Sequence, residues 1–189
     1  METAPPPEQK EKPAEKYARS EQSPDLQGSL FGTEGEVAVP ASKYNIQNTS
    51  HNYLIVEGEE EIKKLVNEIL KQNEFCFDTE TTGIDPLTSE IVALSVSWEK
   101  GKGFLVSFPD DRVEAKKIFE YFRVLFENES ILKIGQNMKF DIQVLGNYGI
   151  EVKPPLFDTM IAHYLLEPDM RHNMNILAET YLSYSPVPI

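Results

Sequence analysis

The sequence predicts a layered α/β fold whose central sheet mixes antiparallel and parallel strands. Three observations carry this expectation. Strand-like and helix-like hydrophobic periods alternate from residue 53 onward. Their order is strand, helix, three strands, helix, strand and then helices, the order of an α/β layer structure. Two of the three consecutive strands are separated only by the turn-forming EKGKG at residues 99–103, which suits an antiparallel meander.

Each element has its own signal. Residues 53–56 (YLIV) read as a short strand. Residues 59–71 read as a helix, with Ile62, Leu65, Val66, Ile69 and Leu70 on one stripe. Strands follow at 75–78, 91–98 and 103–107. The next helix, 112–126, places Ala115, Ile118, Phe119, Phe122, Leu125 and Phe126 on one face. A strand at 131–134 ends at Gly135, and 137–148 carries a helical pattern of Phe140, Val144, Leu145 and Tyr148. A brief extended piece at 156–158 precedes helices at 159–166 and 173–182. Asp158 has the residue type and place of an N-cap for the first of these.

Composition divides the chain. Six of the thirteen prolines lie in the first forty residues, among many Glu, Gln, Lys and Ser and with only Tyr17 and Phe31 as aromatics. Such a segment buries too little apolar surface to offset its ordering entropy, so residues 1–52 are expected to be a flexible interdomain tether and 53–189 one domain. Of the net charge of −13, about −10 falls in that domain, which argues against a generic polyanion binder. A nucleic-acid enzyme stays open, since metal ions can supply positive charge where the chemistry occurs. The single cysteine, Cys76, excludes an internal disulfide and a cysteine-based zinc site. With no apolar run of membrane-spanning length and no signal-peptide pattern, the expected compartment is the cytosol, without membrane attachment.

The chemistry concentrates in FCFDTETTG, residues 75–83, where an apolar strand ends in Asp78 and Glu80. Alternation puts both carboxylates on one face, about 6.6 Å apart along the strand. Like charges so placed repel unless a cation sits between them, and Mg²⁺ or a relative suits oxygen ligands. In KIGQNMKFD, Asp141 falls in the first turn or so of a helix that follows a strand. Each has a bland alternative: Asp78 and Glu80 as the start of a loop, and Asp141 as an exposed residue favoured by the helix dipole.

FDTETTG resembles the first motif of the DEDD family of 3′ to 5′ exonucleases, and KIGQNMKFDIQVL its second. With FDTMIAHYLL and RHNMNILAETYL in the same order and spacing, the stretch from Tyr53 onward resembles the proofreading domain of bacterial family A DNA polymerases (DNA polymerase I). The resemblance implies a ribonuclease-H-like mixed sheet flanked by helices. It implies that Asp78, Glu80 and Asp141 are catalytic metal ligands for two Mg²⁺ or Mn²⁺ ions, which hydrolyse the terminal phosphodiester at the single-stranded 3′ end of DNA. It further implies substrate contacts at Thr81, Ile84, Gln136, Asn137 and Arg171, with Ile84 as an apolar wedge for which core packing is the alternative. Lys133, Lys139 and Arg171 are candidates to neutralise backbone phosphates, while His163 and His172 are not expected to bind metal.

The family's fourth carboxylate belongs to a third motif, a Tyr followed four residues later by an Asp. The sequence ends at SYSPVPI before reaching it. A domain incomplete at its C-terminus, with weakened metal binding and slow or absent hydrolysis, is therefore expected, cut from a bacterial polymerase with 5′ nuclease and polymerase domains. The alternatives are a ribonuclease D-like RNA exonuclease and a non-catalytic spacer. QGSLF, from Gln27 to Phe31, resembles the short peptide by which replication proteins dock on the sliding clamp, against the alternative of a chance apolar pair in a tether.

Overall fold

A computed structural model describes residues 42–187. The QGSLF run and most of the expected tether lie outside the described residues. In chain order the elements are β1 (Tyr44–Asn45), β2 (Asn52–Val56), α1 (Glu59–Ile69), β3 (Glu74–Thr81), β4 (Ile91–Glu99), β5 (Lys102–Ser107), α2 (Arg112–Phe126), β6 (Leu132–Gly135), α3 (Lys139–Asn147), β7 (Leu156–Asp158), α4 (Thr159–Leu166), α5 (Met174–Leu182) and β8 (Tyr184–Ser185).

Six strands form one mixed sheet in the order β2-β5-β4-β3-β6-β7. The expected meander is present: β3 pairs antiparallel with β4, and β4 with β5. The remaining pairings, β2 with β5, β3 with β6 and β6 with β7, are parallel. Residues 42–52, assigned to the tether by composition, are structured. Tyr44–Asn45 pairs in parallel with Tyr184–Ser185, and the Asn45 side-chain oxygen accepts from the backbone N–H groups of Gln47 and Asn48. This turn is held by side-chain to backbone bonds rather than by apolar burial, which is why a composition rule passes over it.

The core lies on one face of the sheet. Phe75 and Phe77 of β3 point inward and meet Phe126 of α2 edge-on, with ring centroids 5.8 and 5.0 Å apart. Ile62, Leu65, Val66 and Ile69 of α1, Phe119 and Phe122 of α2, and Val144 and Leu145 of α3 complete it. α2 begins at Asp111, whose side chain accepts from the N–H groups of Val113 and Glu114. Around the start of β4, the Tyr148 hydroxyl donates to Glu90 and accepts from the Ile91 N–H, and Arg112 pairs with Glu90 at 2.7 Å. Among the described residues no helix is long and apolar enough to cross a membrane.

Lys133, a candidate phosphate neutraliser by sequence, is instead fully buried. Its position on β6, opposite Phe75 of β3, turns it into the core. Its ammonium donates to the backbone carbonyls of Asn128 and of Lys153, the latter at 2.8 Å, and burial holds its pKa below the usual lysine value. Replacing it by methionine keeps the volume but leaves two inward carbonyls unpaired. Lys133→Met should cost ~2 kcal/mol in urea unfolding, whereas an exposed lysine such as Lys139 should tolerate the same change within ~0.5 kcal/mol.

Candidate active site

The local fold of β3 sets the site. Residues 74–81 alternate strictly, with Phe75, Phe77 and Thr79 buried and Glu74, Cys76, Asp78 and Glu80 exposed. The aromatic side of the strand must face the helices, so Asp78 and Glu80 emerge together on the opposite face, as the period of two requires. Asp78 lies opposite Ser95 of β4, and Glu80 opposite Ala93.

Asp141 approaches β3 from the helix layer. It lies in the first turn of α3 and is buried, at 5% exposure. Its Oδ1 accepts from the Thr79 N–H at 3.0 Å and from the Thr79 hydroxyl at 2.5 Å. Thr79 is the residue between Asp78 and Glu80, so one threonine ties the helix aspartate to the strand that carries both carboxylates. The role of Thr79 was not foreseen from the sequence; its signal was a β-branched polar residue at an inward position of an aromatic strand.

Electrostatics reflect the crowding. Desolvation, then the charge of Asp141 and then that of Glu80 push the Asp78 pKa up to about 6, although its residue lies at the open rim. The Asp141 pKa is also raised, chiefly by desolvation and also by Asp158, against the opposing effect of the Thr79 hydrogen bonds. No described lysine or arginine forms an ion pair with Asp78, Glu80 or Asp141. The donor set is all carboxylate oxygen with surplus negative charge, which fits a hard divalent cation. Among the described residues, however, no three Asp, Glu, His or Cys side chains stand at the spacing that would grip one ion. Asp78 opens onto a groove of about 1070 Å³ along the second face of the sheet, lined also by Cys76, Ser95, Ser97 and Leu105. That volume is far larger than a hydrated cation needs, so any ligation rests on the carboxylates and not on an enclosing cavity.

The other sequence candidates fall around this centre. The Thr81 hydroxyl donates to the Gly83 carbonyl at 2.7 Å, and Ile84 stands 83% exposed in the loop that follows. Arg171 and Lys139 are exposed. The Gln136 side chain is turned inward: its amide donates to the His172 carbonyl at 2.7 Å and its oxygen accepts from the Thr159 hydroxyl. Asn137 adopts a left-handed φ of 58°, a conformation that asparagine tolerates better than most residues.

Asp158 caps α4 as expected, accepting from the Met160 and Ile161 N–H groups at 2.8 and 3.2 Å. It has a second role. α3 has no side-chain cap of its own, and the same carboxylate accepts from the Asn137 and Met138 N–H groups at 3.1 and 2.8 Å. One aspartate thus stitches the start of Asp141's helix to the start of α4. Asp158→Ala should cost about 2–3 kcal/mol in chemical denaturation, and Asp158→Asn visibly less, since its remaining oxygen can serve part of the set.

The raised Asp78 pKa sets a pH dependence. Between about pH 4 and 6 the folded chain holds a proton on Asp78 that the unfolded chain has lost. The stabilising contribution is therefore complete below about pH 4 and lost as pH rises through about 6. After discounting for solvent screening, Asp78→Asn should be the more stable protein at pH 7.5 by about 1 kcal/mol, or ~2–4 °C in Tm, with the difference gone at pH 4 in thermal scans.

Comparison with known proteins places this geometry. Residues 53–187 match the family described as 3′–5′ exonuclease. The chain is 30% identical over 164 residues to DNA polymerase I of Borreliella burgdorferi, a match that covers 85% of this chain and 18% of that protein. It is 35% identical over 130 residues to DNA polymerase I of Aquifex aeolicus, covering 69% and 20%. The chain therefore spans a fifth or less of the length of these relatives. Among solved structures, NrnC of Brucella melitensis bound to pGG superposes with a TM-score of 0.61 at 20% identity, over 74% of this chain and 64% of that one. RNase D of Escherichia coli, an exoribonuclease involved in structured RNA processing, gives 0.57 at 17%, over 69% and 33%. At these identities the likeness speaks for the fold, a ribonuclease-H-like mixed sheet flanked by helices. Because the family match spans residues 53–187, which include β3 with Asp78 and Glu80 and α3 with Asp141, the chain belongs to the 3′–5′ exonuclease family, in the form found in DNA polymerase I.

Proposed function

We propose that this chain is the proofreading module of a longer DNA polymerase and hydrolyses nucleotides from the 3′ end of single-stranded DNA. The observation that carries the reading is the pair of hydrogen bonds from Thr79, which stands between Asp78 and Glu80, to Asp141, with none of the three carboxylates ion-paired to a lysine or arginine among the described residues. Asp78, Glu80 and Asp141 would hold the divalent ions. Bound Mg²⁺ or Mn²⁺, as a pair, would supply the positive charge that activates water and offsets charge on the phosphate.

The chain's own residues supply position. Thr79 holds one Asp141 oxygen, which leaves the other Asp141 oxygen to serve the ion. The exposed Ile84 offers an apolar surface to the terminal base, which is tolerant of base identity and suits an enzyme that must remove any nucleotide. Arg171 and Lys139 provide exposed cations for the backbone phosphates. Gln136, held at both ends of its amide, acts as a strut for the loop that carries Asn137. By itself this chain would bind metal weakly and turn over slowly. In the longer protein the module would work beside polymerase and 5′ nuclease domains, with QGSLF as an extended anchor for a sliding clamp.

A 3′-extended, 5′-labelled DNA oligonucleotide incubated with Mn²⁺ or Mg²⁺ tests the reading on a gel. Slow, metal-dependent shortening from the 3′ end is expected, reduced at least ~10-fold in Asp78→Asn and Asp141→Asn. Shortening that survives both substitutions, or that ignores chelation of the metal, would remove the carboxylate site from the reaction. An RNA oligonucleotide in parallel decides the ribonuclease alternative by its relative rate, and no shortening of either strand would favour a spacer.

A further inference from the structure

His163 and His172 form a polar chain that the carboxylate chemistry does not use. His163 lies on α4 and is 5% exposed; His172 lies in the connection before α5. Their Nδ1 atoms are 2.6 Å apart, and His163 Nε2 is 3.0 Å from the Tyr181 hydroxyl on α5. Tyr164 packs edge-on against His172, with centroids 5.2 Å apart. The His172 carbonyl receives the Gln136 amide, so the chain also reaches the loop after β6.

This chain matters because little else joins these helices. His163 is the one buried residue of α4, and α5 has none. Leu165, Leu166 and Leu182 are 75%, 77% and 68% exposed. Apolar burial therefore contributes little here, and the cohesion of the layer falls on hydrogen bonds.

We propose that His163 and His172 act as a one-proton clasp that closes the α4–α5 layer near neutral pH and releases it when both imidazoles become charged. Two nitrogens 2.6 Å apart can bond only if one carries a hydrogen and the other offers a lone pair. In the neutral pair, His163 Nδ1–H donates to His172 Nδ1 and the Tyr181 hydroxyl donates to His163 Nε2. A first added proton enters at His163 Nε2, the hydroxyl turns to accept, and the bridge survives. A second must take the lone pair of His172 Nδ1, which sets two N–H groups and two positive rings against each other. Starting from the opposite tautomer leads to the same result.

The surroundings do not relieve that state. Tyr164 from α4 and Tyr181 from α5 pack against the rings, and the connection between the helices carries Glu167, Asp169 and Arg171. Among the described residues no carboxylate forms an ion pair with either ring. Burial and then the charge of His163 lower the His172 pKa below the ordinary histidine value, against a smaller opposing effect of the Pro168 backbone. A depressed histidine contributes stability that is complete above about pH 6.5 and is lost as pH falls through its folded value.

The test is an NMR titration of the whole chain with labelled histidine rings, with free imidazole as reference and amide exchange of α5 followed in parallel. The two rings should take up their protons in coupled steps, with His172 protonated at lower pH than an ordinary histidine. Protection factors in α5 should fall about tenfold across the second step. In His163→Phe, His172 should titrate in a single step at higher pH, and α5 should be poorly protected throughout. Independent titration of the two rings, each as free imidazole does, or α5 protection unmoved across the second step, would overturn the proposal. The wild-type titration decides the matter if the variant does not fold. None of these readouts depends on nuclease activity.

Discussion

The strict alternation of β3 is the constraint on which the rest of the molecule depends. Phe75 and Phe77 are committed to the helix side by their packing against Phe126, so Asp78 and Glu80 have only the opposite face available. A shift of one residue would drive three carboxylates, Glu74, Asp78 and Glu80, into the aromatic core and expose three inward side chains. β3 is also an interior strand, held by β4 on one side and β6 on the other, so its register is fixed from both edges. Core packing and carboxylate placement are in this sense one property of one strand.

The second requirement is to bring a carboxylate from the helix layer to the sheet without burying it unpaired. Thr79 meets it with two donors, a backbone N–H and a hydroxyl, both directed at one oxygen of Asp141. Asp158 acts one step further out by accepting the free N–H groups at the start of Asp141's helix. The parallel strands β3, β6 and β7 end near these residues, at the edge where α/β sheets gather their chemistry. The concentration of negative charge destabilises the fold locally, as is common where a protein keeps groups poised for a ligand.

The α4–α5 layer is built on a different principle. The helix side of the sheet is joined by fully buried aromatic and aliphatic side chains, whereas α4 and α5 expose most of theirs and are tied by imidazole, hydroxyl and amide groups. Polar ties are directional and depend on protonation, while apolar packing depends on neither. Two regions of one chain therefore differ in how they respond to pH.

Local rules made much of this protein legible from its sequence. Periodicity located α1 and α2 and the β3–β5 meander, the strand period placed Asp78 and Glu80 on one face, and the residue type before α4 identified Asp158 as a cap. These features depend on neighbours a few residues apart. Tertiary structure alone decided what depended on distant partners. It paired β2 in parallel with β5, folded residues 42–52 through a bridge to residues 184 and 185, turned Lys133 toward two carbonyls and Gln136 inward, and joined His163 to His172. Thr79 shows the division most clearly: alternation predicts that it points inward, but its partner is sixty-two residues away, and only the packing of α3 against β3 brings the two together.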